Sequence, residues 1–413
     1  MVKRWINNAI LVVIILCSTS FYRFSFLGPM QKGAELMGPV IIFVLIFFHL
    51  VYSNQKSIRQ NFSTAILLIM LSLLSSMVTA YVVRDQRIIH TLLAQTPLYY
   101  YFLYFLLHQL RFDLKDVEKI IVFFAFVYIG LHFLQTILYP KIIFNSRVFA
   151  ERGTIRVYLP GAHYISVGFY LYLQRFLRSN KMKYILFLLL IFSVFVMRAG
   201  RQPLAILLLT TVLFVMIDRK VKSRFFLIIL GMIGAFSMFL IFQNIFIELL
   251  HTSQRDMTLG EEYIRINSAR SYLTDFFEAP IAYVTGNGMY YEHSNYGELF
   301  DRNHLIYHYH IGDIGLIGNY VIYGLFFIIA VIIICTKALK IKIESAYIYV
   351  KYFVFASIIS LIVGGGFANS DFICLMVLLL YMIDASNQSY IQHNQSDIKD
   401  EKVSIMKYAE SQS

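Results

Sequence analysis

The chain has 413 residues, of which 58% are hydrophobic and 15% charged, with a mean hydropathy of +0.65. A soluble domain carries about 25% charged residues, whereas here long uncharged runs recur from end to end, many near the roughly 20 residues that cross a bilayer as helix. The composition excludes a soluble globular domain and indicates an all-α, polytopic integral membrane helix bundle. The net charge of +12 must then be sorted by membrane side before it says anything about nucleic acid.

In chain order, hydropathy predicts about twelve transmembrane helices, at roughly 7–26, 36–53, 63–83, 90–110, 117–139, 160–177, 182–198, 202–218, 223–249, 312–336, 345–366 and 369–385. The first run leads into further spans with no small-residue cleavage site, so it reads as a retained helix rather than a signal peptide. Pro160 and Pro203 stand at the start of two spans, a position that suits a helix's first turn. Cys17, Cys335 and Cys374 all lie in apolar runs, without the loop-borne spacing of a disulfide or metal site. Two connections are long, 140–159 and about 250–311, and long loops among short ones are usually functional. Residues 1–385 thus read as one transmembrane domain with a large outer loop. Residues 386–413, rich in Asn, Gln and Ser, read as a disordered cytoplasmic tail.

Sidedness follows from Lys and Arg in the short loops. With the N-terminus inside, the cytoplasmic loops hold Lys3, Arg4, Arg111, Lys115, Lys119, Arg175, Arg178, Lys337 and Lys340, among others, and both termini are cytoplasmic. The opposite loops hold Lys32, Arg84, Arg87, Lys141, Arg147, Arg152, Arg156, Arg198, Arg201, Arg255, Arg265, Arg270 and Arg302. Nearly all of these are Arg, although topology does not favour Arg over Lys on that side. The planar guanidinium grips phosphate or carboxylate with two parallel hydrogen bonds and keeps its charge near low dielectric. The outer face therefore reads as built to hold an anion, against the alternative of arginines that only snorkel to headgroups.

Three constellations carry this reading. "MRAGRQP" (197–203) is the tip of a helical hairpin, with Gly200 supplying the turn, Pro203 restarting the helix, and Arg198 and Arg201 held at the interface as phosphate clamp or as anchors. "TIRVYLPGAHY" (154–164) places Arg156 before a Pro-Gly break at the same depth, with His163, more often a core residue than a catalyst, one turn into the next span. The large loop holds a helical stretch in which Tyr263, Ile266, Tyr272 and Phe276 share one face and Arg265 and Arg270 lie elsewhere, an amphipathic helix for the membrane surface. A "GNG" turn (286–288) follows, then "DRNHLIYHYHIGDIGLIG" (301–318) with His304, His308, His310 and Asp313. No second cluster of carboxylates or cysteines accompanies these histidines, so no metal is expected. His304 suits a general base, since imidazole titrates near neutrality; Asp313 suits a site residue or a helix cap equally.

The "DxGxxG" of Asp313, Gly315 and Gly318, the Arg-bearing outer tips and the single large outer loop resemble bacterial O-antigen and capsular polysaccharide polymerases of the Wzy type and their relatives, the O-antigen ligases. The ligases carry His, then Asn, Ser or Gln, nine residues, Gly, two residues, and Gly, Thr or Tyr. His304, Gly315 and Gly318 keep that spacing, but Leu305 departs from it and Asn303 precedes the His. The resemblance implies a metal-independent glycosyltransferase of the bacterial inner membrane. Such an enzyme moves an undecaprenyl-pyrophosphate-linked oligosaccharide onto a growing glycan at the outer face, for O-antigen, capsule or exopolysaccharide. It implies no cofactor, no nucleic acid, and partners such as a chain-length regulator and a flippase. Arg156, Arg198, Arg201, Arg265 and Arg270 would bind the pyrophosphate or glycan, and His304 and Asp313 would be catalytic. The close alternative is a ligase delivering glycan to lipid A core or protein. The alternative of another class is a transporter or flippase for lipid-linked sugar. Transporters tend to carry mid-bilayer charges and internal repeats, whereas here the central parts of the spans are nearly free of charge and no internal repeat is seen.

Overall fold

The structure, a computed structural model, describes residues 2–28, 30–52, 60–151, 154–179, 181–217, 243–260, 263–362, 364 and 366–412. It is all-α apart from one short hairpin. The helices are α1 (Val2–Ser18), α2 (Met30–Tyr52), α3 (Ser63–Arg84), α4 (Ile88–Ala94), α5 (Leu103–Leu110), α6 (Leu114–Leu138), α7 (Ala162–Ser179), α8 (Lys183–Met197) and α9 (Arg201–Ile217). Then come α10 (Gln243–Thr258), α11 (Ile264–Thr274), α12 (Ala282–Thr285), α13 (Asn295–Tyr307), α14 (Gly315–Lys340), α15 (Tyr349–Leu361) and α16 (Ser370–Gln412). Strands β1 (Val148–Glu151) and β2 (Thr154–Val157) pair antiparallel, with Phe149 opposite Arg156, inside the segment expected to be a plain loop.

Among the described residues five helices, not about twelve, are long and apolar enough to cross a membrane: Met30–Val51, Ser63–Arg84, Leu114–Leu138, Ile311–Lys340 and Ser370–Gln392. Lys183–Met197, Arg201–Met216 and Ser345–Leu361 are shorter apolar helices. The difference has local causes that hydropathy does not register. In the first apolar run, Ser18 Oγ and Thr19 Oγ1 bond back to the carbonyls of Ile15 (2.8 Å) and Leu16 (3.0 Å). Ser20, Phe21, Tyr22 and Arg23 then take φ of 47, 49, 55 and 57°, so the helix stops inside the run. The run 90–110 divides into α4, a 3-10 segment over Thr96–Phe102 and α5, because Pro97 has no N–H to continue the ladder. The run 223–249 lies mostly outside the described residues. α16 passes Ala385 and remains helical to Gln412, through the segment read from sequence as a disordered tail.

The core runs along α3, α6, α7, α14, α15 and the first half of α16, and the two polar ends of the bundle are built differently. One end is closed by ion pairs. Arg4 pairs with Asp116 and Asp113, and Arg175 with Glu118. There, too, buried Asp384 accepts from Asn61 Nδ2 (2.7 Å) and the Tyr104 hydroxyl. The other end carries the hairpin and a lobe lying outside the helix bundle, the outer lobe, formed by α11, α12 and α13. α14 breaks at Gly324 (φ 76°), and the carbonyls this frees are claimed at once. Ser72 Oγ donates to Tyr323 O, Asn287 N to Val321 O (2.9 Å) and Gly288 N to Ile322 O (2.8 Å). The "GNG" turn is therefore the peg that docks the outer lobe on a broken helix. A Cβ on Gly324 would lie 2.4 Å from Gly286 N, so both positions require glycine. Above the peg, Tyr272, Phe276, Tyr296, Phe300, Ile314 and Val321 make a small second core. Tyr272 and Phe276, expected on one face of a membrane-surface helix, are instead buried within the lobe, Phe276 beyond the end of α11, while Ile266 is 45% exposed.

Candidate functional site

A cavity of about 250 Å³ opens where the first turn of α7, the α8–α9 tip, the end of α15 and the start of α16 meet. His163, Arg198, Gln202, Ser360, Asn369 and Phe372 are among its lining residues. Each is placed by a chain break rather than by mid-helix sequence. α8 ends at Met197 and the turn is made by Ala199 at φ 47°, not by Gly200 as the sequence suggested. Gly200 has an ideal Cβ position only 3.2 Å from Pro203 Cδ, so its small size serves the tight restart of α9.

Arg198 lies half-buried at this tip, 5.9 Å from the Tyr128 ring centroid. Among the described residues no carboxylate lies within ion-pair distance of it. Arg156 is arranged in the opposite way. It is 9% exposed and its guanidinium is taken up by Glu151, by the Tyr158 hydroxyl and, at 3.2 Å, by the backbone carbonyl of Arg198. The rings of Phe149 and Tyr158 flank it at 5.7 and 5.0 Å. The hairpin thus supports the tip that carries Arg198. Arg201 reaches α10, donating to Ser253 Oγ at 3.1 Å. Arg84, at the end of α3, is buried beneath the outer lobe against Glu278, the carbonyl of Phe276 and the rings of Phe276 and Tyr296.

His163 sits one turn into α7 with its ring 4.8 Å from Phe372, nearly perpendicular to it. Asp371 and Arg198 both act on it electrostatically. The carboxylate of Asp371 is anchored by Gly161, whose N–H donates to Asp371 Oδ2 at 2.6 Å. Behind Arg198, the hydroxyls of Tyr22 and Tyr128 and both ring nitrogens of His132 are buried without a hydrogen-bond partner among the described residues.

The structure brings Arg156 and Arg198 together and leaves His304 and Asp313 in a separate group. His304 packs on His310 at 3.9 Å between ring centroids, and its Nδ1 is buried without a hydrogen bond. Burial, followed by the neighbouring His304, holds the exposed His310 below its ordinary range; Asp313 opposes this, and Arg147 and His308 add to it. Asp313 lies in a 3-10 turn, Ile311–Ile314, in which it caps no helix. Arg265 and Arg270 stand on α11, half-buried and exposed respectively, with no described contact to the cavity. Among the described residues no group of three or more His, Cys, Asp or Glu side chains is arranged to hold a metal ion.

Sequence reasoning missed Asp371, Gln202 and Asn369 and set His163 aside. The available signal was an acidic residue at the start of an apolar run, just after "GGGFANS". No protein-family model and no curated protein matches the chain.

Proposed function

We propose that the chain is a lipid-linked oligosaccharide polymerase of a bacterial cytoplasmic membrane, with both termini cytoplasmic and the hairpin end outside. It transfers undecaprenyl-pyrophosphate-linked repeat units onto a growing glycan. A chain-length regulator and a flippase are its expected partners, and the reaction needs no metal or cofactor. The observation that carries this reading is Arg198, a half-buried guanidinium with no carboxylate partner among the described residues, lining a cavity that also holds an imidazole. An arginine in a low-dielectric wall without a counter-ion favours an anionic guest.

In the proposed step an acceptor hydroxyl oxygen attacks the anomeric carbon. The bond from that carbon to the phosphate oxygen breaks, and its electron pair stays on the departing pyrophosphate. Fixed cations stabilise that developing charge. Arg198 is assigned this role, with Arg156 holding its backbone and Arg201 flanking it. Arg265 and Arg270, on the outer lobe, are assigned to the glycan. The acceptor proton goes to an imidazole, for which His304, with Asp313 nearby, and His163 are the two candidates.

The test is the glycan ladder on a gel from cells carrying Arg198→Ala or Arg198→Lys. Loss of long glycan with accumulation of single lipid-linked repeat units supports the polymerase. Accumulation of lipid-linked polymer instead indicates the ligase, whose bond-breaking step is the same. Normal ladders in both variants sink the reading.

A further inference from the structure

We infer that His163, which lines the same cavity as Arg198, is the base that takes the proton of the attacking hydroxyl. The inference rests on the glycosyl-transfer reading above and assigns a residue to it.

A base and a leaving-group cation must face one space, because the attacking and departing oxygens lie on opposite sides of a single carbon. His163 and Arg198 line the same cavity of about 250 Å³, and His304 does not line it. The surroundings of His163 are built to hold a ring in place. Gly161, at φ 88°, turns the chain into α7. A Cβ there would come within 3.3 Å of Tyr22 and 3.5 Å of Thr19, so the turn is wedged against the end of α1. The N–H of Gly161 fixes the Asp371 carboxylate at 2.6 Å, and the ring of Phe372, the next residue, stands nearly perpendicular to that of His163 with centroids 4.8 Å apart. One turn of α16 thus supplies both the carboxylate and the wall of the imidazole site.

The charge balance is complete. The hydroxyl proton moves to the open ring nitrogen of His163 as the new oxygen–carbon bond forms. The carbon–oxygen bond to phosphate breaks towards Arg198, and Asp371 is the carboxylate whose charge favours the imidazolium. The proton then leaves to water once the product departs. The charged groups that act on His163 are Asp371 from α16 and Arg198 from the α8–α9 tip; Tyr128 and His132 of α6 neighbour Arg198, and Tyr22, beyond the end of α1, neighbours Tyr128 and Asp371. Burial disfavours the charged ring most, Asp371 is the acid that favours it, and Arg198 opposes it. Asp371 touches the Gly161 turn rather than the ring, so its effect on the imidazole comes through its charge and through that turn.

The experiment uses the full chain in nanodiscs and in cells, with His163→Gln and Asp371→Asn. Undecaprenyl pyrophosphate is the binding probe, and the glycan ladder across a pH series is the activity readout. His163→Gln is expected to lower polymer formation by about 10²–10⁴-fold, the usual contribution of a general base, while binding undecaprenyl pyrophosphate within about twofold of the parent, the limit set here for unchanged binding. Asp371→Asn is expected to lower activity less and to move the acid limb of the pH profile to lower pH, because the ring loses the carboxylate that favours its protonated form. An active His163→Gln overturns the inference, as does one that loses activity and probe binding together, or an Asp371→Asn profile with an unmoved acid limb. Loss in His304→Gln with His163→Gln unaffected moves the base to the outer lobe. Failure of the underlying reading is distinct: Arg198→Ala would then bind undecaprenyl pyrophosphate as the parent does. If His163→Gln fails to fold, the Asp371→Asn profile decides.

Discussion

Arg156 donates from Nε to the backbone carbonyl of Arg198 at 3.2 Å, so one arginine of the hairpin holds the backbone from which another projects into the cavity. The two arginines share a neighbourhood but differ in what surrounds their charges. The remaining donors of Arg156 are engaged by Glu151 and Tyr158, whereas the guanidinium of Arg198 faces the space beside His163 and Gln202.

Arg156→Ala should therefore act through Arg198. It removes a 9%-exposed charge and takes a hydrogen bond from the part-buried Arg198 carbonyl, a loss of about 1–2 kcal/mol. Glycan output should fall about tenfold, equivalent to ~1.4 kcal/mol, and less than in Arg198→Ala. Arg156→Lys keeps the charge but not the fork, so it should not restore output. Ladder densitometry of both variants, with Arg198→Ala alongside, checks the ordering.

The peg between the outer lobe and α14 offers a test of stability. Gly324→Ala places a methyl group 2.4 Å from backbone atoms at Gly286 and adds a left-handed conformation at φ 76°. That conformation alone costs about 1–2 kcal/mol, and the clash raises the total. Gly33→Ala on α2 meets nothing within 4 Å and should be neutral or stabilising by about 0.4–1 kcal/mol. Thermal unfolding in detergent should show a large fall in Tm for the first and none for the second.

His310 gives the pH prediction. Burial and the adjacent His304 keep it below its ordinary value of 6.5. The unfolded chain therefore binds this proton more readily than the folded one. The stability His310 contributes is complete above pH ~6.5 and is lost as pH falls from there through the folded value. A titration of the imidazole NMR signals should give a midpoint below 6.5, and Arg147→Ala should raise it by removing a like charge. A midpoint at or above 6.5 contradicts the assignment.

The helical character and the Arg198 tip were legible in the sequence, because a charge between two apolar runs is visible to hydropathy alone. The number of long apolar helices was not. Hydropathy registers that residues 7–26 are apolar, but not that Ser18 and Thr19 bond back along the helix or that Ser20–Arg23 turn left-handed. The hairpin escaped for a related reason: two strands, Val148–Glu151 and Thr154–Val157, are too short to give a period-2 signal. The link between Gly161 and Asp371 spans 210 positions of sequence, and only the packing of α7 against the start of α16 reveals it. His163 therefore looked like an ordinary core histidine until the carboxylate and the cavity stood beside it.

The most direct test of the central claim is the affinity of the purified protein in nanodiscs for undecaprenyl pyrophosphate, parent against Arg198→Ala. Arg198→Ala is expected to weaken binding by at least about tenfold, the ~1.4 kcal/mol expected at minimum for a charge-assisted contact, with Arg198→Lys recovering only part of it. Equal affinity in parent and Arg198→Ala would contradict the account.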